Sequence, residues 1–193
     1  MLKDLVLKNR TYRGYDESFT VSRETLLHLV DHARLMPNAK NHQILTYYIA
    51  YESEVVKSIQ SHTKWAGSLR ELGLPFEGTR PTAFIVIMQN TEINPVLVKG
   101  LKDVGIAAAA ITLAATEIGL GCCMIGNYSA IGIKEVLNLP ENLVPHLVVA
   151  VGKPAEEVVL TEISEGESIT YYRDEHNVHY VPKRKLEDIV INF

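Results

Sequence analysis

The chain has only two cysteines, and they are neighbours, Cys122 and Cys123. Adjacent cysteines almost never bridge each other, so no disulfide framework exists and a reducing compartment is favoured. Positive charge is not in excess either. Nineteen Lys+Arg stand against 23 Asp+Glu, a formal net charge of −4 with seven His counted neutral. General nucleic-acid binding needs a concentrated basic surface, which argues against that class. No hydrophobic run reaches membrane length. The longest weakly polar stretch, Val104 to Ala115, is Ala-rich and falls short of the roughly 20 apolar residues of a span. Met1 to Arg10 mixes Lys3, Asp4 and Lys8 into its apolar residues and lacks the h-region of an export signal. A cytoplasmic protein without a membrane partner is expected.

What is present is ordinary for a globular domain: 193 residues, 47% hydrophobic and 22% charged. No linker, repeat or low-complexity segment divides it. We read one domain over 1–193, with 155–193 as a C-terminal extension.

Periodicity gives most of the elements. Met1 to Lys8 reads as a short helix. Ser22 is a plausible N-cap for an amphipathic helix carrying Leu26, Leu29, Val30 and Ala33 and ending before Pro37. Ile44 to Tyr51 reads as a strand, Ser53 to about Gln60 as a helix, and Thr82 to Met88 as a buried strand. Gly73 to Pro81 is a loop. A long helix begins near Asn94-Pro95 or after Gly100 and stops at Gly119. Cys122 to Ile125, a helix capped by Ser129, and Leu147 to Val151 complete the pattern. The tail is more polar and shows few periodic signals.

Several motifs fail. Gly119-Leu120-Gly121 lacks the third glycine of a dinucleotide fingerprint and follows a helix instead of a strand. Gly121 to Gly126 has P-loop spacing, but Asn127-Tyr128 replaces the Lys-Ser/Thr pair. His28 and His32 sit one helical turn apart without a third ligand nearby, so no metal site is assigned. No Ser-His-Asp or paired-carboxylate arrangement stands out, and no catalytic side chain is named.

Three segments remain. In Asn9-Arg10-Thr11-Tyr12-Arg13-Gly14-Tyr15, two arginines three apart with a hydroxyl between them suit a phosphate. A solvated basic turn is the competing reading. Pro37-Asn38-Ala39-Lys40-Asn41-His42-Gln43 offers short amides and backbone N–H groups suited to the edge of a flat heterocycle, or simply ends a helix. Pro182-Lys183-Arg184-Lys185 is either a solvated face or the other half of one anion site.

Together these resemble the FMN-dependent nitroreductase family. Its opening Arg-Arg-Ser-x-Arg-x-Phe/Tyr motif reads Asn9 to Tyr15 here, and its Pro-Ser-x-x-Asn-x-Gln-Pro segment reads Pro37 to Ile44. Asp103-Val104-Gly105-Ile106-Ala107 through Gly121, Met124-Ile125-Gly126 and Val151-Gly152-Lys153-Pro154 follow in order. The resemblance implies an α+β fold, a central mainly antiparallel sheet flanked by helices, in a homodimer with two FMN at its interface. Arg10, Thr11 and Arg13 match the motif that binds the FMN phosphate and ring edge. Asn38 and Asn41 match the second motif, and Lys183 and Arg184 the late basic pair. Asn9 replaces the first Arg, Asn38 replaces Ser, and Ile44 replaces Pro. The implied activity is two-electron reduction of nitroaromatics, quinones or similar flat acceptors by NADH or NADPH. Reductive dehalogenation, flavin breakdown, or flavin binding without turnover are the alternatives. The loop around Lys64-Trp65-Ala66-Gly67 and the Pro/Gly-rich stretch to Pro81 are candidates for the wall over the flavin and the substrate slot, with a semi-buried anchor as the other reading of Trp65, the only tryptophan. The apolar C-terminal end, Leu186 to Phe193, either wraps the partner subunit or packs on its own.

Overall fold

The computed structural model describes residues 1–191, with the side chains of 97–99 left out. Four strands form the central sheet: β1 (Leu45–Ala50), β2 (Ala83–Asn90), β3 (Gly121–Ile125) and β4 (Leu143–Gly152). Their order is β1-β2-β4-β3, and every pairing is antiparallel. The expected α+β class and antiparallel centre are therefore seen.

Helices cover both faces. On one lie α2 (Arg23–Leu35) and α4 (Leu97–Glu117), packed on Ile85, Ile87, Val149 and Val151. On the other lie α3 (Ser53–Ser61) and α5 (Ala130–Val136), packed on Phe84, Val86, Met88 and Val148. A strand covered on both faces has no polar side to present, which is why Thr82 to Met88 reads as an unbroken apolar run. Strand alternation also separates the two cysteines: Cys122 enters the α2/α4 core and Cys123 the α3/α5 core. Burial pushes both thiols up, that of Cys123 to about 12, so neither is a ready nucleophile. The alanines of α4, notably Ala107, Ala108, Ala114 and Ala115, lie on the sheet, where small side chains admit close approach.

The caps are as expected. Ser22 accepts from Thr25 N and Ser129 from Gly132 N, each at 3.1 Å. Gly119 takes φ +79 after α4. Helix α4 starts at Leu97, between the two starts considered from sequence. Asn94-Pro95 stays outside it, because the fully buried Gln89 donates to Asn94 O at 2.6 Å and Asn94 Oδ1 accepts from Val96 N.

The tail departs from expectation. It contains β5 (Val158–Ile163), β6 (Tyr172–Arg173) and β7 (His179–Arg184), a second sheet in the order β5-β7-β6. Strands β5 and β7 are parallel, and Tyr172 stacks on Tyr180 across the antiparallel β6–β7 pair, 5.1 Å between centroids. This sheet packs on the rest of the chain through Arg13. Beyond it Leu186, Ile189, Val190 and Ile191 are exposed, and Asn192 and Phe193 lie outside the described residues. No helix is long and apolar enough to cross a membrane among the described residues.

Candidate functional site

The opening motif follows α1 (Leu2–Lys8) and runs along the edge of β3. Thr11 bridges Cys122, and Tyr12 N donates to Cys122 O at 3.0 Å. Asn9 Nδ2 donates to Thr112 Oγ1 of α4, and Tyr15 OH to Tyr12 O. Toward β3 and α4 the segment is thus pinned by backbone and uncharged groups.

The two arginines go different ways. Arg10 is half-buried, donates to Val6 O at 2.7 Å, and keeps a buried Nε without a partner. Desolvation lowers its pKa, and no carboxylate compensates. A partly dehydrated guanidinium lacking an acid, beside the exposed hydroxyl of Thr11, fits the phosphate of FMN. Arg13 points inward and is 9% exposed. Its guanidinium is placed against Tyr171 and His179.

Arg13 belongs instead to a buried cluster. Its backbone N–H donates to one oxygen of Glu156, and the Arg173 guanidinium pairs with the other. The Arg13 guanidinium lies over the Tyr171 ring at 4.8 Å, and its Nη1 stands 3.1 Å from His179 Nε2. Since Arg can only donate, Nε2 accepts and the proton of the neutral ring sits on Nδ1, which is buried without a partner. Burial first, then the charges of Arg13 and Arg173, lower the His179 pKa from 6.5 to about 4. The unfolded chain therefore takes up this proton before the native one. The contribution to stability is full above about pH 6.5 and lost as pH falls to 4, roughly 3 kcal/mol in total. Urea unfolding of wild type and His179→Gln at pH 7 and pH 4.5 measures it. The variant should lack most of the difference, and equal losses in both would place the titration elsewhere.

The second motif sits between α2, β1 and α4. Ala39–Asn41 forms one 3-10 turn, and Lys40, Asn41 and Gln43 have φ of 53, 54 and 49. Three side-chain-bearing residues in the left-handed region persist only where surroundings dictate them. Here Asp103 of α4, 4% exposed, accepts from Ala39 N at 3.1 Å, and Asn38 Oδ1 accepts from Gln43 N at 3.0 Å. Asn38 is thus occupied in shaping its own loop, while Asn41 is exposed. A cavity of about 150 Å³ lies beneath, lined in part by Asn38, Gln43, Tyr47 and Asp103. It includes no residue of the opening motif. A larger groove of about 620 Å³, lined in part by Lys57, Gln60 and Arg80, reaches Pro81 at the end of the 73–81 loop but holds none of the residues matched to the cofactor motifs.

Lys183 and Arg184 end β7 and are exposed, Arg184 donating to Asp188 O. Among the described residues neither shares a hydrogen bond, ion pair or cavity with Arg10 or Thr11. Lys64 N donates to Asn127 O at 2.8 Å, and half-buried Trp65 donates to Thr63 Oγ1 at 2.8 Å. Its ring packs between the α3/α5 core and a small cluster of Ala66, Leu69 and Leu74. His28 and His32 meet edge to face on α2, with His32 Nδ1 on His28 O.

Glu156, Tyr171 and Arg173 were given no role from sequence, and Asp103 entered only within the central-helix match; His179, expected with His176 to be solvated in a charged tail, is instead buried at 1% exposure. A signal existed for Asp103, an acid on the apolar face of an Ala-rich helix. Glu156 offered only its position two residues after Pro154.

Known proteins share this fold. The model of the nitroreductase family matches residues 6–153. A Methanothermobacter thermautotrophicus protein, provisionally named an NADH dehydrogenase/NAD(P)H nitroreductase, is 24% identical over 157 residues, 79% of this chain and 77% of the relative. The structure of an FMN-dependent nitroreductase from Clostridium difficile R20291 superimposes with a TM-score of 0.62 at 27% identity, covering 78% of this chain and 87% of that one. An NADPH:FMN oxidoreductase from Vibrio harveyi, solved with NAD+, gives 0.62 at 22% identity over 80% and 69% of the two chains.

Proposed function

The chain belongs to the nitroreductase family, and from that premise we propose that it is an FMN-dependent NAD(P)H oxidoreductase reducing nitroaromatics, quinones or similar flat acceptors. The observation that carries the reading is Arg10: a half-buried guanidinium without an acidic partner, held beside Thr11 at the sheet edge. Bound FMN supplies reversible two-electron chemistry, so that nicotinamide and acceptor use one site in turn.

The chain's own residues bind and orient. Arg10 and Thr11 take the phosphate. Arg13 supports their backbone from behind through Glu156. The left-handed loop presents Asn41 and its amides to the ring edge, with Asp103 fixing the loop's shape. Lys64 and Trp65 stand in the wall of the acceptor slot. The site is completed by a second copy, because the cavity at the second motif holds no residue of the first. The exposed Leu186, Ile189, Val190 and Ile191 lie on that partner, and Lys183 and Arg184 add cations for the phosphate.

The visible spectrum of the purified protein tests this. A flavin spectrum should bleach anaerobically with NADH or NADPH and return on adding a nitroarene or quinone. A colourless protein that FMN cannot reconstitute, or a loaded protein reduced by neither nicotinamide, sinks the reading.

A further inference from the structure

The segment 66–74 is the least tethered part of the proposed slot wall. Its backbone bonds, Leu69 N to Ala66 O, Leu72 N to Leu69 O and Gly73 N to Arg70 O, are internal. Among the described residues one hydrogen bond ties it to the rest of the chain: Ser68 N donates to the Tyr171 hydroxyl at 3.3 Å. The same Tyr171 ring, with Trp65 and Leu72, packs against the apolar cluster of Ala66, Leu69 and Leu74. That ring also carries the Arg13 guanidinium at 4.8 Å and meets His179 at 5.3 Å. One side chain therefore touches the slot wall, the opening motif and the tail sheet.

We propose that Tyr171 is a positioning residue through which the β5-β7-β6 sheet holds the wall at 66–74 and so sets which acceptors the slot admits. This rests on the proposed oxidoreductase reading. Segments with few outside contacts open locally at small free-energy cost, and the residue that closes them controls their population. The Arg13 stack gives Tyr171 a fixed base, because Arg13 is itself locked by Glu156 and the buried His179.

The test uses the full-length FMN-loaded protein with Tyr171→Phe and Tyr171→Ala. Tyr171→Phe removes the Ser68 bond and keeps the stack, whereas Tyr171→Ala removes both. Hydrogen exchange at 66–74 should quicken, about threefold or more in Phe and further in Ala. The KM for a bulky quinone should change about fivefold or more in Ala, with a smaller shift in Phe. The KM for a small quinone should stay within about twofold. Unchanged exchange, faster exchange without a KM change, or an equal KM change for small and bulky quinones overturns the proposal. If wild-type flavin is not reduced at all, the oxidoreductase reading fails, while the exchange measurement still decides whether Tyr171 holds the wall.

Discussion

Glu156→Gln is expected to lower the unfolding free energy by about 3–5 kcal/mol, the usual cost of breaking a buried ion pair from one side. Among the described residues Glu156 is the only anion in contact with its cluster, and its pair with Arg173 is deeply buried, the two side chains 6% and 5% exposed. The native cluster already holds two guanidiniums against one carboxylate, with His179 neutral. Removing the carboxylate leaves Arg13 and Arg173 buried without a counter-charge. Removing Arg173 instead leaves Arg13 beside the remaining anion, so it should cost less. Sequential charge removal thus ranks the variants in a way that simple loss of packing does not. Urea midpoints at constant m-value measure the effect. A loss below about 1 kcal/mol would mean that the pair behaves as a surface one.

The central layers were legible because their signals are local. Helix period on Leu26, Leu29 and Ala33, a continuous run in β2, and the Ser22 and Ser129 caps each reflect burial of one stripe or both faces. The tail sheet was not legible for two reasons. Strands β5 and β7 pair in parallel across a gap that contains exposed residues 164–170. Pro182 also sits inside β7, where proline argues against a paired strand. It is tolerated because β6 pairs only with His179 and Tyr180, leaving Pro182 with a neighbour on one side alone.

The candidate site was half legible for a related reason. Residue types in the opening motif pointed to an anion, but they could not say which arginine faces outward. That depends on Glu156, which is 143 positions from Arg13. Likewise the Asn38–Gln43 loop was recognisable by composition, while its three left-handed residues depend on Asp103 reaching across from α4. Topology brings both acids to their loops, and a local pattern carries no record of it.

Separating the two arginines gives the second large effect. Arg10→Ala should weaken FMN binding about 10- to 100-fold, from one charge-assisted contact worth roughly 1.5–3 kcal/mol at tenfold per 1.4 kcal/mol. Its stability without FMN should change little, because the Arg10 side chain holds only Val6 O at an exposed turn. Arg13→Ala should do the reverse, weakening the fold while any change in FMN affinity follows from disorder of the motif. The discriminating measurement is FMN titration by fluorescence quenching alongside urea unfolding of each apoprotein. Binding in wild type should also fall with added salt, and Arg10→Ala should flatten that dependence, since exposed charges are screened over about 8–10 Å at physiological salt. Unchanged affinity in Arg10→Ala would remove Arg10 from the phosphate site. Equal affinity losses in both variants at full stability would return Arg13 to that site and contradict its burial against Tyr171 and His179.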